Sequence, residues 1–257
     1  MTATDDGTFQ ITSPISDSAS SARWVFRLGG GAAIAGAILA GAGNLVHPVT
    51  PMHDQVGVAR VMADSEIWVA VHLAIIVGLL LMLGGLVAVY QSIRGGLAGA
   101  LVRFGLFTGV AGVTIGLVLV ILDGVAAHQL AQEWAAAPPG DQAVALGLVH
   151  ANETINFALA SLFNLVFAGA TFILFGLAVA LSSVYPRWLG WVVLVAGAGS
   201  IAAGLIQAFI GEPTDASRGI TIAGPTVITL WTLVVGILLV RKSTGRATPA
   251  RSPSGSS

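Results

Sequence analysis

RFGLFTGVAGVTIGLVLVILDGVAAH, residues 103–128, is the stretch that decides the fold, because it is long and apolar enough to cross a bilayer as a helix. The spacing of its glycines puts four of them on one helix face: Gly105, Gly109, Gly112 and Gly116. Asp123 follows Gly116 by two helical turns and shares that face. The run therefore predicts a surface for close helix packing that ends in one ionisable side chain.

The composition indicates a membrane protein. Apolar residues make up 55 % of the chain and charged residues 9 %, whereas soluble domains carry about 25 % charged residues. With several further apolar runs of about twenty residues, the chain is predicted to be all-α, a polytopic transmembrane bundle of six spans. The lipid bilayer is its predicted partner, and no nucleic acid is expected. The absence of cysteine excludes disulfides and thiolate chemistry, and the preference for Arg over Lys is typical of GC-rich bacterial coding.

Three regions are predicted along the chain: a disordered cytoplasmic tail at 1–22, a six-helix domain at 23–243, and a second disordered tail at 244–257. Short helices are expected in two connectors, at about 54–63 and after Asp141, and the rest of 132–153 is expected to be a connector. Small residues at 40–42 resemble a signal-peptidase site, but the long preceding segment favours an uncleaved first helix. The spans are predicted at about 25–46, 67–91, 103–128, 154–182, 188–210 and 221–240.

The basic residues predict the orientation. If both termini are cytoplasmic, only Arg60 and Arg218 of the eleven Lys and Arg residues lie outside, which agrees with the positive-inside rule. The predicted location is the inner membrane, with six passes.

A simple measure of depth places the polar residues. Twenty helical residues cover a hydrocarbon core of about 30 Å. Counting from the inner arginines, Arg27 leads to His47 and Arg103 leads to Asp123, while His72 precedes Arg94 by a similar length. All the histidines then lie at or beyond the outer boundary: His47, His53, His72, His128 and His150. The pattern predicts a polar pocket open to the outside.

The candidate ligand-binding residues line that pocket: Asp123, Asn156, Asn164, Gln207 and His72. Asp123 is the first choice, because an ionisable side chain on a packed transmembrane face is a functional candidate. Each residue has a structural alternative. Asp123 could be an interfacial charge that reaches water, Asn164 could bond helix to helix, and His47, His53 and His150 could be ordinary interface residues.

A metal site is the other chemistry considered. The candidate ligands are His150 and Glu153, three residues apart on one helix, with His128. Their donors suit a zinc-type site, but the spacing matches no known motif. Asp123 and His128 are too far apart around a helix to chelate one ion, and His72 lacks a second mid-membrane histidine for haem. No catalytic motif is present, so no catalytic residue is predicted and the cofactor stays unknown.

The C-terminal part resembles a known family. The run YPRWLGW at 185–191, the glycine-rich fifth helix, Pro225 and LWTLVVGILLVRK at 230–242 resemble bacterial six-helix membrane proteins that are catalogued only as a domain of unknown function. The resemblance implies no activity and no catalytic residue. The family's last helix often carries a glutamate before the Leu-Trp pair, whereas this chain has Thr226 to Thr229 there.

The predicted function is to bind or move a small solute or ion through the outward-facing pocket. Two alternatives stay open: a membrane-embedded metal-dependent hydrolase, and a structural or regulatory partner of another membrane protein. The chain could also form a homo-oligomer.

Overall fold

The computed structural model describes residues 2–3, 9–10 and 14–244, with side chains from Ser20 onward. Apart from two short antiparallel strands, β1 (Thr2–Ala3) and β2 (Phe9–Gln10), the described chain is helical. Its α-helices are α1 (Pro14–Val46), α2 (Gln55–Asp64), α3 (Trp68–Ser92), α4 (Gly96–Ile121), α5 (Ala127–Ala136), α6 (Gln142–Phe163), α7 (Phe172–Leu181), α8 (Arg187–Ile210) and α9 (Asp215–Thr244). Two π-helical segments continue α4 into α5 and α6 into α7: the first π segment (Leu122–Ala126) and the second π segment (Asn164–Thr171).

Six helices are long and apolar enough to cross a membrane, so the prediction of an all-α bundle with six spans is confirmed. The spans are Ser20–Val46, Trp68–Ser92, Gly96–Ala136, Gln142–Leu181, Arg187–Ile210 and Asp215–Thr244. Each packs on the next along the chain, and α9 returns to pack on α1, which closes the bundle.

The first helix begins earlier than expected. It starts at Pro14, inside the segment 1–22 for which disorder is predicted. Proline suits the first helical turn, because the backbone N–H that it lacks would have no partner there. The remaining residues of that tail, apart from β1 and β2, and the predicted tail at 244–257, apart from Thr244, lie outside the described residues.

The third and fourth spans are also longer than predicted, at 41 and 40 residues. A 40-residue helix measures about 60 Å, twice the hydrocarbon core. Most of the predicted connector 132–153 is helix. The helix is interrupted only at Ala137 to Asp141, a segment that contains two prolines and a glycine. The two predicted connector helices are confirmed as α2 and the start of α6.

The extra length builds a small cap over one end of the bundle. Helices α2, α5 and the first part of α6 pack on one another. They enclose an apolar cluster of Val58, Ala59, Met62, Trp68, Ala127, Ala131 and Val149. The Asp54 side chain caps α2 by accepting a hydrogen bond from the Gly57 N–H.

The predicted glycine face on α4 is a packing face. Gly105, Gly109, Gly112 and Gly116 are all buried. At Gly112 an added Cβ would lie 2.7 Å from the Cα of Phe167, so the two backbones approach closely. We call these four glycines the glycine seam. Their close packing determines how α4 lies against the second π segment.

Candidate functional site

Three polar side chains from separate elements meet where the cap joins the bundle. His47 follows the end of α1, His72 lies in the second turn of α3, and Asp123 lies in the first π segment. The Nε2 atoms of the two histidines are 3.3 Å apart, and His72 Nε2 is 3.2 Å from Asp123 Oδ2. Among the described residues, these form the one group of three His or carboxylate side chains with donor atoms all within 4.8 Å. We call this group the triad.

Local packing explains how the triad is held. Gly124 makes room for His72, because a Cβ there would lie 2.7 Å from the His72 Cγ. Trp68, which is 1 % exposed, donates its indole N–H to the Asp123 carbonyl at 2.8 Å. Its ring also packs 5.0 Å from each imidazole. A π segment at this point accords with the frequent use of such segments at functional sites.

Backbone carbonyls determine which imidazole nitrogen carries the hydrogen. His72 Nδ1 lies 2.7 Å from the Trp68 carbonyl oxygen, and His47 Nδ1 lies 2.9 Å from that of Pro48. Because a carbonyl only accepts hydrogen bonds, each Nδ1 is the protonated nitrogen. In the neutral imidazoles both Nε2 atoms then carry lone pairs, and these point at each other and at the Asp123 carboxylate.

The charges around the triad favour a cation. Among the residues that the structure describes, neither Lys nor Arg pairs with Asp123, whose only ion-pair contact is His72. Burial lowers the pKa of His47, and the neighbouring His72 lowers it further. The direction of this shift favours the neutral form of His47, which is the form that can bind a metal ion.

Helix α6 supplies a second ring of polar groups. Asn156 Nδ2 donates to Asp123 Oδ1 at 3.4 Å, and Asn152 Nδ2 donates to the Leu122 carbonyl at the same distance. Asn156 Oδ1 is buried and has no hydrogen-bond partner among the described residues. Glu153 is half-buried and follows Asn152 directly on the same helix. An acceptor without a donor is thus placed beside the carboxylate.

Only some of the predicted ligand-binding residues come together. Asp123, His72 and Asn156 are in contact, as described above. Asn164 instead donates to the Thr221 hydroxyl at 3.4 Å, and Gln207 donates to the Phe157 carbonyl at 2.9 Å. Both make helix-to-helix bonds, and neither is hydrogen-bonded to the triad.

The predicted metal ligands His150, Glu153 and His128 are not brought together. The His150 ring is 3.1 Å from the Gln55 amide nitrogen, and His128 Nδ1 donates to the Met62 carbonyl at 2.6 Å. Each of these histidines therefore serves a contact within the cap.

His47 is the member of the triad that was not selected as a ligand from the sequence. It follows the last residue of α1, so helical periodicity says nothing about its direction. The sequence feature that could have identified His47 is its depth in the membrane. Counted from the inner arginines, His47, His72 and Asp123 lie at a common depth.

Two grooves lie apart from the triad. One, of about 550 Å³, opens on the apolar side of α8 and α9 and includes Trp191, Ala196 and Gly224. The other lies in the cap, between Arg60, Trp134 and Gln142. The first groove offers almost no polar surface, so it does not compete with the triad as a cation site.

Six apolar spans packed into one closed bundle define the class, a multi-pass membrane protein. A protein-family model described as Domain of unknown function (DUF4386) matches residues 28–243. The chain belongs to this family, which confirms the resemblance seen at 185–242. No curated protein and no solved structure matches the chain.

Proposed function

We propose that this membrane protein binds a small cation at the triad. One observation carries the proposal: two imidazole lone pairs and a carboxylate oxygen converge with no hydrogen between them when both imidazoles are neutral. Three acceptors at such distances repel one another, so a proton or a metal ion between them stabilises the arrangement. The site is partly open, since the Asp123 side chain is 33 % exposed.

We also propose the orientation that the basic residues favour, with both termini cytoplasmic in the inner membrane and the triad facing outside. The orientation is tested with single cysteines, because the chain has none of its own. Gly140→Cys should react with an impermeant thiol reagent in intact cells, and Ser183→Cys should not. The reverse pattern would reject the orientation.

Cation binding is tested by thermal unfolding of the purified protein. The probes are protons, K⁺, Mg²⁺, Ca²⁺, Co²⁺ and Zn²⁺. A cation at one hundred times its dissociation constant should stabilise the folded protein by about 2.7 kcal/mol. Asp123→Asn keeps the side-chain shape but removes the negative charge, so this stabilisation should be lost.

The matched control is His53→Gln. His53 is in the same connector as His47, but its side chain is 66 % exposed and lies 3.9 Å from Glu212. This variant should respond to the cations as the wild type does. A wild type that none of the probes stabilises, or an Asp123→Asn variant that is stabilised equally, would contradict the proposal.

A second candidate, the membrane-embedded hydrolase, is favoured by the number of ligands. Three protein ligands leave an ion one position for water, as in catalytic zinc sites, and Glu153 lies on the adjacent helix where it could accept a proton. Release of fatty acid from phospholipid vesicles by the zinc-loaded protein, abolished by Glu153→Gln, would support this function. Equal release by the variant would reject it.

A further inference from the structure

We infer that the cation is a divalent transition metal ion of the zinc class, held by His47 Nε2, His72 Nε2 and an Asp123 carboxylate oxygen. The inference rests on the proposed function and adds the chemical class of the ion. Two of the three ligands are imidazole nitrogens, which suit Zn²⁺, Co²⁺, Ni²⁺ and Cu²⁺. Mg²⁺ and Ca²⁺ prefer sites built from oxygen atoms.

The distances match a tetrahedral site. With Zn–N and Zn–O bonds of about 2.0–2.2 Å, neighbouring ligand atoms of a tetrahedron lie about 3.3–3.6 Å apart. The two measured pairs are 3.3 Å and 3.2 Å, and the third pair lies within 4.8 Å. A nitrogen–nitrogen distance of 3.3 Å is long for a hydrogen bond but ordinary for two ligands of one ion.

The outer contacts of the triad are those of a metal site. Metal-binding histidines donate their other N–H to a carbonyl or carboxylate, which fixes the ring. Here the carbonyls of Pro48 and Trp68 take the two Nδ1 hydrogens, and Asn156 holds the carboxylate. These contacts fix both imidazoles and leave their Nε2 atoms free for one ion.

The fourth position is assigned to water or another small ligand. Asn156 Oδ1 is buried beside Asp123 without a partner among the described residues, so it could accept a hydrogen bond from such a water. A buried acceptor without a donor is unfavourable, and a metal-bound water would relieve it. This observation is independent of the triad distances.

The ligands come from three elements, so the ion would fasten them together. His47 holds the end of α1, His72 holds α3, and Asp123 holds the junction of α4 with the cap. Their separation along the chain also explains the lack of a recognisable motif: no two ligands share a helix.

The inference is tested by spectroscopy with Co²⁺ as the probe. Purified protein should bind one Co²⁺ and develop the strong visible absorption of a tetrahedral complex, and Zn²⁺ should displace it. His47→Gln should weaken binding by more than the roughly 10–100-fold that is typical when a residue hydrogen-bonded to a metal ligand is lost. His53→Gln should bind as the wild type does.

A replacement ligand guards against a variant that simply misfolds. His47→Cys places a thiolate donor at the same position in a chain with no other cysteine. It should keep Co²⁺ bound and add a thiolate-to-cobalt charge-transfer band in the near ultraviolet. That band would identify residue 47 as a ligand, which no purely structural role of His47 would produce.

Three results would contradict the inference, and they differ in whether the proposed cation site is also rejected. Unchanged Co²⁺ affinity in His47→Gln, together with no new band in His47→Cys, would remove residue 47 from the site. Asp123-dependent stabilisation by protons, K⁺, Mg²⁺ or Ca²⁺ alone, without Co²⁺ or Zn²⁺ binding, would reject the metal class but keep the cation site. No Asp123-dependent effect of any cation would reject both.

Discussion

The two ends of the bundle differ in how their polar groups are paired. At the arginine end, formed by the loops at 93–95 and 182–186, Ser92 Oγ donates to the Val89 carbonyl and lies 2.7 Å from the Tyr185 hydroxyl. The Ser92 and Tyr185 hydroxyls thus each have a hydrogen-bond partner. At the histidine end, formed by the triad, the two histidines and Asp123 present acceptors to one another.

This difference separates structural polar groups from a binding site. Two buried polar groups that are hydrogen-bonded to each other contribute modestly to stability and require no ligand. A group of facing acceptors is unfavourable until a cation joins it. The two ends should therefore respond differently to substitution: loss of stability alone at the arginine end, and loss of a cation response at the histidine end.

The glycine seam that connects the two ends should show the largest effect. In Gly112→Ala the new methyl group would lie 2.7 Å from the Phe167 Cα and 2.9 Å from its backbone nitrogen, so the helices must separate. We expect a loss of about 3 kcal/mol, measured by denaturant or thermal unfolding.

Gly109→Ala is the matched control on the same helix face. Its methyl group would meet only side chains, those of Thr171, Leu86 and Leu83, at ordinary contact distances of 3.4 to 3.7 Å. Alanine also favours a helix over glycine by up to about 1 kcal/mol, so the variant should be neutral or stabilised. Equal destabilisation of the two variants would show that the seam is not set by backbone contact.

The seam was predictable from sequence because helical periodicity is regular over 105–116. The four glycines share one helix face wherever the helix lies in the membrane. The structure places Phe175 against Gly105 and Phe167 against Gly112. Side-chain spacing alone was sufficient for that face, because no backbone irregularity occurs before Ile121.

The site was less predictable for two physical reasons. His47 follows the end of α1, where the chain direction depends on tertiary contacts. The cap also resembles a polar connector in the sequence, because amphipathic helices that bury only one face against each other look hydrophilic. The common depth of the three ligands was available, but depth does not tell which side chains meet around the bundle.

The next largest effect is expected at Trp68, which supports the histidine end. Trp68→Phe removes the N–H that bonds the Asp123 carbonyl at 2.8 Å and leaves that carbonyl without this donor. Trp231→Phe is a matched control: Trp231 is 3 % exposed, but its Nε1 has no partner among the described residues.

Both substitutions remove a similar volume, so their difference reports the hydrogen bond. Trp68→Phe should be less stable than Trp231→Phe by about 1–2 kcal/mol in thermal unfolding. It should also weaken Co²⁺ binding, because the backbone of a ligand is no longer held. Equal stability and unchanged metal affinity would mean that Trp68 only fills space.

The smallest effect is expected at the arginine end, in Tyr185→Phe. The variant loses one hydrogen bond to Ser92, so near neutral pH it should be destabilised by about 0.5–1 kcal/mol, with its cation response unchanged.

Burial raises the pKa of Tyr185 to about 12, although the Ser92 hydrogen bond partly opposes this. An unfolded tyrosine has a pKa of about 10, so above that pH the unfolded wild type releases a proton that the folded protein keeps. The stability of the wild type should therefore fall as pH rises from about 10 to 12, and that of Tyr185→Phe should fall less. Tyr90 is present in both proteins and cancels from the comparison. Parallel alkaline unfolding curves would contradict the burial of Tyr185, and a lost cation response would contradict the separation of the two ends.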